Sequence, residues 1–156
     1  MVSNEQINVN KRNGRGLEAL NIDKIHSMVG FATEGITGVS ASHVEMNSGI
    51  QFFDKISTED IQQILIKSAN DLISLENPNY QYVAARLLLF SLRKKLFHRL
   101  WEHPKFLNHI KVCIEKGMYD EEILDNYTEA EIDRMGMWID HERDYNFTYA
   151  GLRQVM

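Results

Sequence analysis

Three basic side chains near the start of the chain have the type and spacing to hold an anion. Lys11 and Arg12 are adjacent, Asn13-Gly14 follows them, and Lys24 comes ten residues later, after a predicted return of the chain. Asn-Gly pairs tolerate the positive φ of tight connections, so the spacing predicts a hairpin that leads into a helix near Lys24. A helix N-terminus attracts anions, and together with these cations it could bind a polyphosphate. An ordinary solvated hairpin with surface lysines is the commoner interpretation of the spacing alone.

Short strands and one helix are predicted to position these cations. Ile7 and Val9 alternate with polar residues, as in a half-buried strand, and 17–20 can pair with them. A helix with apolar residues at helical spacing is predicted from Asp23 to Gly35 or Gly38. A further short strand is predicted at 55–57.

Three more helices are predicted in the first hundred residues. Ser40 begins one that ends near Phe53, and Ser57 or Thr58 caps the next, with Asp60 as the acidic partner of a capping box. The last of them, 79–98, is apolar nearly all round, which is typical of a helix in the centre of a bundle.

The pattern changes after residue 98. A helix is predicted at 106–116, a capping box begins another at 128–139, and 141–151 shows no clear period. We therefore expect a compact unit at 1–98, followed by a helical appendage.

Composition bounds the function. The net charge of −5 argues against a general nucleic-acid binder, and the single Cys113 excludes both an internal disulfide and a multi-cysteine zinc ribbon. No segment resembles a signal peptide or is long and apolar enough to span a bilayer. We expect a cytoplasmic protein with no membrane partner.

Other candidate chemistry is weak. No Walker-type or dinucleotide-binding glycine motif is present. Cys113 has apolar neighbours and is predicted to be a packed thiol. The histidines lack the spacing of a metal site; they are His98, His103 and His109. One acidic cluster around a histidine is predicted to be structural, because nothing nearby supplies a pocket; it comprises Asp140, His141, Glu142 and Asp144.

Several motifs resemble one family. They are Lys11-Arg12-Asn13-Gly14, Asn21-Ile22-Asp23-Lys24-Ile25, Ser57-Thr58-Glu59-Asp60-Ile61, Tyr80-Gln81-Tyr82-Val83-Ala84-Ala85-Arg86-Leu87 and His141-Glu142-Arg143-Asp144. The first four are similar to the ATP-cone, a small regulatory nucleotide-binding domain of many ribonucleotide reductases. The last resembles the helical region that follows the cone in the large (alpha) subunit of bacterial and phage class Ia ribonucleoside-diphosphate reductase.

The resemblance implies a mostly α, α+β fold. A four-helix bundle capped by a small three-stranded sheet would form the cone at 1–98. Residues 99–156 would begin the alpha subunit's N-terminal helical region and leave it incomplete.

The resemblance also implies a nucleotide site between the sheet and the helices. Phosphates would contact Lys11, Arg12 and Lys94; adenine would contact Glu18 and Asn21; Lys24 and Thr58 would line the site; Val9 and Ile25 would pack on the base. The basic end of the fourth helix, which could merely complement its C-terminal dipole, thereby becomes a candidate site.

Two features depart from the family. Gln62 stands where a histidine is common, so it can donate to a phosphate or sugar oxygen but carries no charge. The hairpin is one residue longer, around Arg15-Gly16. Both bear on affinity and on the choice between ATP and dATP.

The implied function is allosteric. ATP, with Mg²⁺ held through its phosphates, would activate reduction of ribonucleoside diphosphates, and dATP would inhibit it. The expected partners are the rest of the alpha subunit, the radical-generating beta subunit and other alpha subunits. No catalytic cofactor is expected.

The radical and redox cysteines of the reductase have no counterpart in this chain, whose only cysteine is Cys113. We expect no catalytic residue here and a chain that is inactive alone, as part of a longer or split subunit. One alternative is a degenerate cone that serves only as a subunit-interaction module. A nucleotide-sensing repressor is a second, but such proteins carry a four-cysteine zinc ribbon ahead of the cone.

Overall fold

The structure is a computed structural model that describes residues 7–11, 16–49, 51–98 and 102–156. Arg12 and the predicted Asn13-Gly14 turn lie outside these ranges. None of the described helices is both long enough and apolar enough to cross a membrane.

A mixed sheet of three short strands joins two distant parts of the chain. Its strands are β1 (Asn8–Asn10), β2 (Leu17–Ala19) and β3 (Ile56–Ser57), in the order β2-β1-β3. Val9 in the centre pairs antiparallel with Glu18 and parallel with Ile56. The predicted antiparallel pairing of the first two strands and the predicted third strand are confirmed, while the connecting turn lies outside the described residues.

Four helices complete the predicted bundle. They are α1 (Ile22–Thr33), α2 (Ala41–Gly49), α3 (Thr58–Asp71) and α4 (Tyr80–Phe97). Ser57 caps α3, since its hydroxyl accepts from the Asp60 amide at 2.9 Å. The helix α2 ends at Gly49, short of the predicted Phe53. Here the amides of Gln51 and Phe52 bond carbonyls three residues back, so the chain closes in turns.

The core of this bundle is built mostly on α4. Its apolar residues are buried as predicted: Val83, Ala84, Ala85, Leu87, Leu88, Leu89 and Phe90. From the other helices, Val29, Val44 and Leu65 are fully buried. Burial of this apolar surface supplies most of the stabilisation of such a small unit.

The chain forms two compact units. The first comprises the residues up to Leu92 together with Asp144–Met156, and the second comprises Arg93–Arg143. This division reflects packing and does not test the functional boundary at residue 98, which stays a prediction.

The second unit contains α5 (Phe106–Glu115), α6 (Glu122–Asn126) and α7 (Glu129–Gly136). Leu107, Ile110 and Ile132 form its apolar cluster. The predicted capping box begins α7: the Glu131 amide donates to Thr128 Oγ1, and Glu131 Oε2 accepts from the Thr128 amide at 2.8 Å.

Residues 102–156 differ from prediction in one helix end and in three helices that were not predicted. The helix α7 ends at Gly136 rather than 139, because the Met137 and Trp138 amides bond carbonyls three residues back, in a tighter turn. The helix α6 was not predicted. The stretch predicted to have no period contains a 3₁₀ helix (His141–Asn146) and begins α8 (Tyr149–Val155), whose N-cap is Thr148.

Candidate functional site

The site is built around one carboxylate that contacts two lysines. Glu18 Oε1 lies 3.0 Å from Lys24 Nζ, and Glu18 Oε2 pairs with Lys11 Nζ. Each carboxylate oxygen therefore holds a different ammonium group. All three side chains are partly exposed to solvent. This arrangement brings together three of the residues predicted from the sequence.

Backbone hydrogen bonds position these charges independently of the ion pairs. The Lys11 amide donates to the Gly16 carbonyl at 3.3 Å, and Gly16 has a φ of +97°, which suits a residue without a Cβ. Asn21 is the N-cap of α1, and its Oδ1 accepts from the Lys24 amide at 3.1 Å. The two lysines are thus anchored on different elements.

The electrostatics favour an anion at this place. Hydrogen bonds from Lys11 and Lys24 lower the pKa of Glu18 to about 2, so the carboxylate is charged at neutral pH. Two ammonium groups therefore lie beside the N-terminus of α1, where Glu18 and Asp23 supply the carboxylates. That helix end is itself positive.

Apolar residues of the predicted site lie on the neighbouring elements. Val9 in β1 and Ile25 in α1 are buried. Thr58 is the first residue of α3 and follows Ser57, which pairs with Asn10 in the sheet. The Asn10 side chain donates to the Lys55 carbonyl at 2.8 Å, which ties β1 to the entry of α3.

Two predicted residues have a different setting. Gln62 is 1% exposed, and its Nε2 lies 3.9 Å from Met28 Sδ on α1, so its amide lies in the helical core in this structure. Lys94 lies in the last turn of α4 and belongs to the second unit. Whether either contacts a nucleotide stays a prediction, as does the role of Arg12.

Sequence reasoning gave no role to two residues that organise this unit. Asp54 Oδ1 accepts from the Asn8 amide at 2.9 Å, which fixes the end of β1 and lowers the pKa of Asp54. Arg86 Nη1 donates to the Glu34 carbonyl at 2.6 Å, just past the end of α1. Arg86 was detectable as the one charge among the apolar residues 83–90 of α4.

The second unit contains a cavity of about 840 Å³. His103, His109 and His141 line it, and the rings of His103 and His141 stack with centroids 3.5 Å apart. The expectation that no pocket lies near His141 is therefore wrong. The lining residues come from separate parts of the chain, from Phe97 through Tyr119 to His141, and are too far apart in sequence for periodicity to connect.

One expectation for the second unit is tested directly. Cys113 is buried with its Sγ 3.6 Å from His109 Nε2, which confirms a packed thiol. In the predicted structural cluster, Asp140 Oδ1 accepts from the Glu142 amide at 3.1 Å and thereby helps to begin the 3₁₀ helix.

Comparison with known proteins identifies the family of this chain. The sequence matches the ATP cone domain over residues 7–95. The chain is 47% identical over 152 residues to the ribonucleoside-diphosphate reductase 1 subunit alpha of Salmonella typhimurium, covering 97% of this chain and 20% of the relative. The corresponding Escherichia coli subunit is 46% identical over the same length, with the same shares covered.

A phage relative shows the same similarity. The ribonucleoside-diphosphate reductase subunit alpha of Enterobacteria phage T4 is 41% identical over 149 residues, which cover 96% of this chain and 19% of that protein. The chain thus spans about one fifth of the length of these relatives and matches their N-terminal region. With residues 7–95 matched and the expected sheet and helices present, the chain belongs to the ATP-cone family.

Proposed function

We propose that this chain is a regulatory part of a ribonucleoside-diphosphate reductase alpha subunit. Residues 1–98 would bind ATP or dATP with Mg²⁺ bound through the phosphates; ATP would permit reduction and dATP would inhibit it. Catalysis would reside in parts of the enzyme that this chain does not contain, so the chain alone would be inactive.

The paired contacts of Lys11 and Lys24 with Glu18 carry this proposal. Charge-assisted hydrogen bonds from ammonium groups to phosphate oxygens are among the stronger polar contacts in proteins. The N-terminus of α1 adds partial positive charge at the same place. A surface with these properties favours a polyphosphate over a neutral ligand.

The same residues suit adenine. The Glu18 carboxylate can accept from the adenine amino group, and Asn21 retains an amide nitrogen to donate to a ring nitrogen after its Oδ1 has capped α1. Val9 and Ile25 would pack on the base. Arg12, Thr58, Gln62 and Lys94 complete the proposed site by resemblance to the family.

Regulation requires that each nucleotide bind two assembled states unequally. A ligand shifts an equilibrium only by its differential affinity for the two states. We propose that these states differ in how the alpha subunit associates with the beta subunit or with other alpha subunits.

Burial of Gln62 favours a second candidate. A polar side chain that already lies in the core between α1 and α3 would need to move before it could contact a nucleotide. In that case the domain would be a degenerate cone that mediates subunit interaction without binding nucleotide.

Calorimetric titration of the chain with ATP, and separately with dATP, in the presence of Mg²⁺ distinguishes the two. Saturable binding of both, with different affinities, is the expected result. Absence of binding by a folded sample would reject the nucleotide function and favour the degenerate module.

A further inference from the structure

Glu18 holds both lysines in the way that two phosphate oxygens would. Its Oε1 contacts Lys24 Nζ at 3.0 Å, and its Oε2 contacts Lys11 Nζ. No nucleotide is needed to bring the two ammonium groups together, because the carboxylate already bridges them. A phosphate that binds these lysines competes with Glu18 for their charge and for part of their hydrogen-bonding capacity, since each ammonium group has three donors.

The bridge is weak enough to be exchanged. The side chains of Lys11, Lys24 and Glu18 are 45%, 70% and 32% exposed, and ion pairs this open to water contribute little free energy. A triphosphate carries several negative charges and more acceptor oxygens, so it competes effectively with a single carboxylate for the same cations.

The lysine backbones do not depend on the bridge. The Lys11 amide is held by the Gly16 carbonyl in the hairpin, and the Lys24 amide by Asn21 at the N-cap of α1. Displacing Glu18 therefore leaves the backbone of both lysines in place. It also releases an ionised carboxylate beside the bound ligand.

We propose that Glu18 is an internal anion that occupies the phosphate-binding lysines until a nucleotide displaces it. This proposal rests on the proposed nucleotide function and adds a specificity device to that site. Phosphates take the lysines, and the released carboxylate then accepts from the adenine amino group. A triphosphate without that amino group displaces Glu18 but leaves the carboxylate without a replacement donor.

The test is the affinity of inorganic tripolyphosphate, the phosphate part of the ligand alone, for the wild-type chain and for Glu18→Gln in one Mg²⁺ buffer. Removing the competing charge is expected to tighten tripolyphosphate binding by about three- to tenfold, the size of two exposed ion pairs. The ratio of the affinity for ATP to the affinity for tripolyphosphate is expected to be smaller in Glu18→Gln than in the wild-type chain. Asp71→Asn is the matched control, because it removes one charge and releases Lys67, whose Nζ lies 3.0 Å from Asp71 Oδ2 on α3.

The outcomes separate this inference from the function on which it rests. If wild-type protein binds ATP but Glu18→Gln binds tripolyphosphate no tighter than Asp71→Asn does, the internal-anion role is wrong and the nucleotide site stands. If the folded wild-type chain binds no ATP, both are wrong.

A second measurement needs no variant to fold. The ¹³C resonance of the Glu18 carboxyl group in the wild-type chain is expected to shift on saturation with tripolyphosphate, since the carboxylate loses both ammonium partners. An unchanged resonance in a sample that binds tripolyphosphate would contradict the exchange.

Discussion

Both ends of α1 have basic side chains nearby, but these have opposite effects on the stability of the helix. At its C-terminal end, Arg86 of α4 donates to the Glu34 carbonyl at 2.6 Å and also reaches the Ala32 carbonyl at 3.5 Å. At its N-terminal end, Lys24 lies in the first turn and Lys11 lies close by through Glu18. A cation is favourable at the negative end of a helix and unfavourable at the positive end.

This difference separates a structural charge from a functional one. The last turn of α1 has no basic residue of its own, so Arg86 supplies the charge that the helix end lacks. At the other end Asn21 already caps the helix, and the two lysines add charge of the wrong sign for stability, which the carboxylates of Glu18 and Asp23 offset. Positions that break a local rule in this way are expected at binding sites.

Arg86 also connects α1 to the last described segment of the first unit. Its guanidinium lies 5.3 Å from the centre of the Tyr145 ring, and that ring packs edge to face against Phe90. One side chain thus closes a helix end and holds the residues that precede α8.

The largest predicted effect is on stability at this C-terminal end. Arg86→Met should lower the free energy of unfolding by about 2–3 kcal/mol, because two carbonyls lose their charged donor and Tyr145 loses its cation. Urea unfolding measures it, and Arg86→Lys, which keeps the charge, should lose less. A loss below about 0.5 kcal/mol, the scale of an ordinary surface substitution, would show that Arg86 is not a structural charge and would contradict the difference drawn between the two ends of α1.

At the N-terminal end the predicted effect is on binding. Lys11→Ala and Lys24→Ala should each weaken the binding of ATP and of dATP by about 1–3 kcal/mol, the scale for losing a charged hydrogen-bond partner. The resemblance predicts the same for Lys94→Ala. Stability should change by less than about 0.5 kcal/mol. Calorimetry measures the affinities, with Lys67→Ala on α3 as the matched control. Wild-type nucleotide affinity in all of the lysine variants would contradict the proposed site.

A capping residue should behave differently from the lysines. Thr128→Ala, at the N-cap of α7, should cost about 1 kcal/mol of stability with no change in ATP affinity. Asn21→Ala should show both a loss of stability and a loss of affinity, because Asn21 caps α1 and lies in the proposed site. Urea unfolding and calorimetry on both variants check this; normal ATP affinity in Asn21→Ala would restrict that residue to capping.

The smallest effect concerns pH. Folding lowers the pKa of Glu18 from its usual value of 4.5 to about 2, so the contribution of this carboxylate to stability is present above pH 4.5 and is lost as the pH falls toward 2. The midpoint of thermal unfolding should therefore drop less between pH 5 and pH 3 in Glu18→Gln than in the wild-type chain. An equal drop of the unfolding midpoint with pH in the two proteins would show that the ion pairs of Glu18 do not contribute to stability.

The local part of the fold was predictable from the sequence. Alternation in β1, the caps Ser57 and Thr128 and the apolar helix α4 are signals carried within a few residues. The end of α7 and the 3₁₀ helix depend on hydrogen bonds to carbonyls three residues back, which compete with those of an α-helix. The spacing of apolar residues does not predict this competition.

The site was predictable only in part. Spacing suggested that the cations converge, but the role of Glu18 as a bridge depends on the register that places it opposite Val9. The burial of Gln62 against Met28 and the contact of Arg86 with Glu34 are long-range contacts. A single sequence contains no signal for such pairs.

The central claim is that nucleotide binds at the cationic N-terminal end of α1. Amide ¹H–¹⁵N spectra of the chain, recorded during titration with ATP and Mg²⁺, test it most directly. Saturable shifts are expected that are largest in 9–11 and 18–25, near the two lysines, with small changes around Arg86. Saturable binding with its largest shifts in the histidine-lined cavity of the second unit, or no shifts in a folded sample, would contradict it.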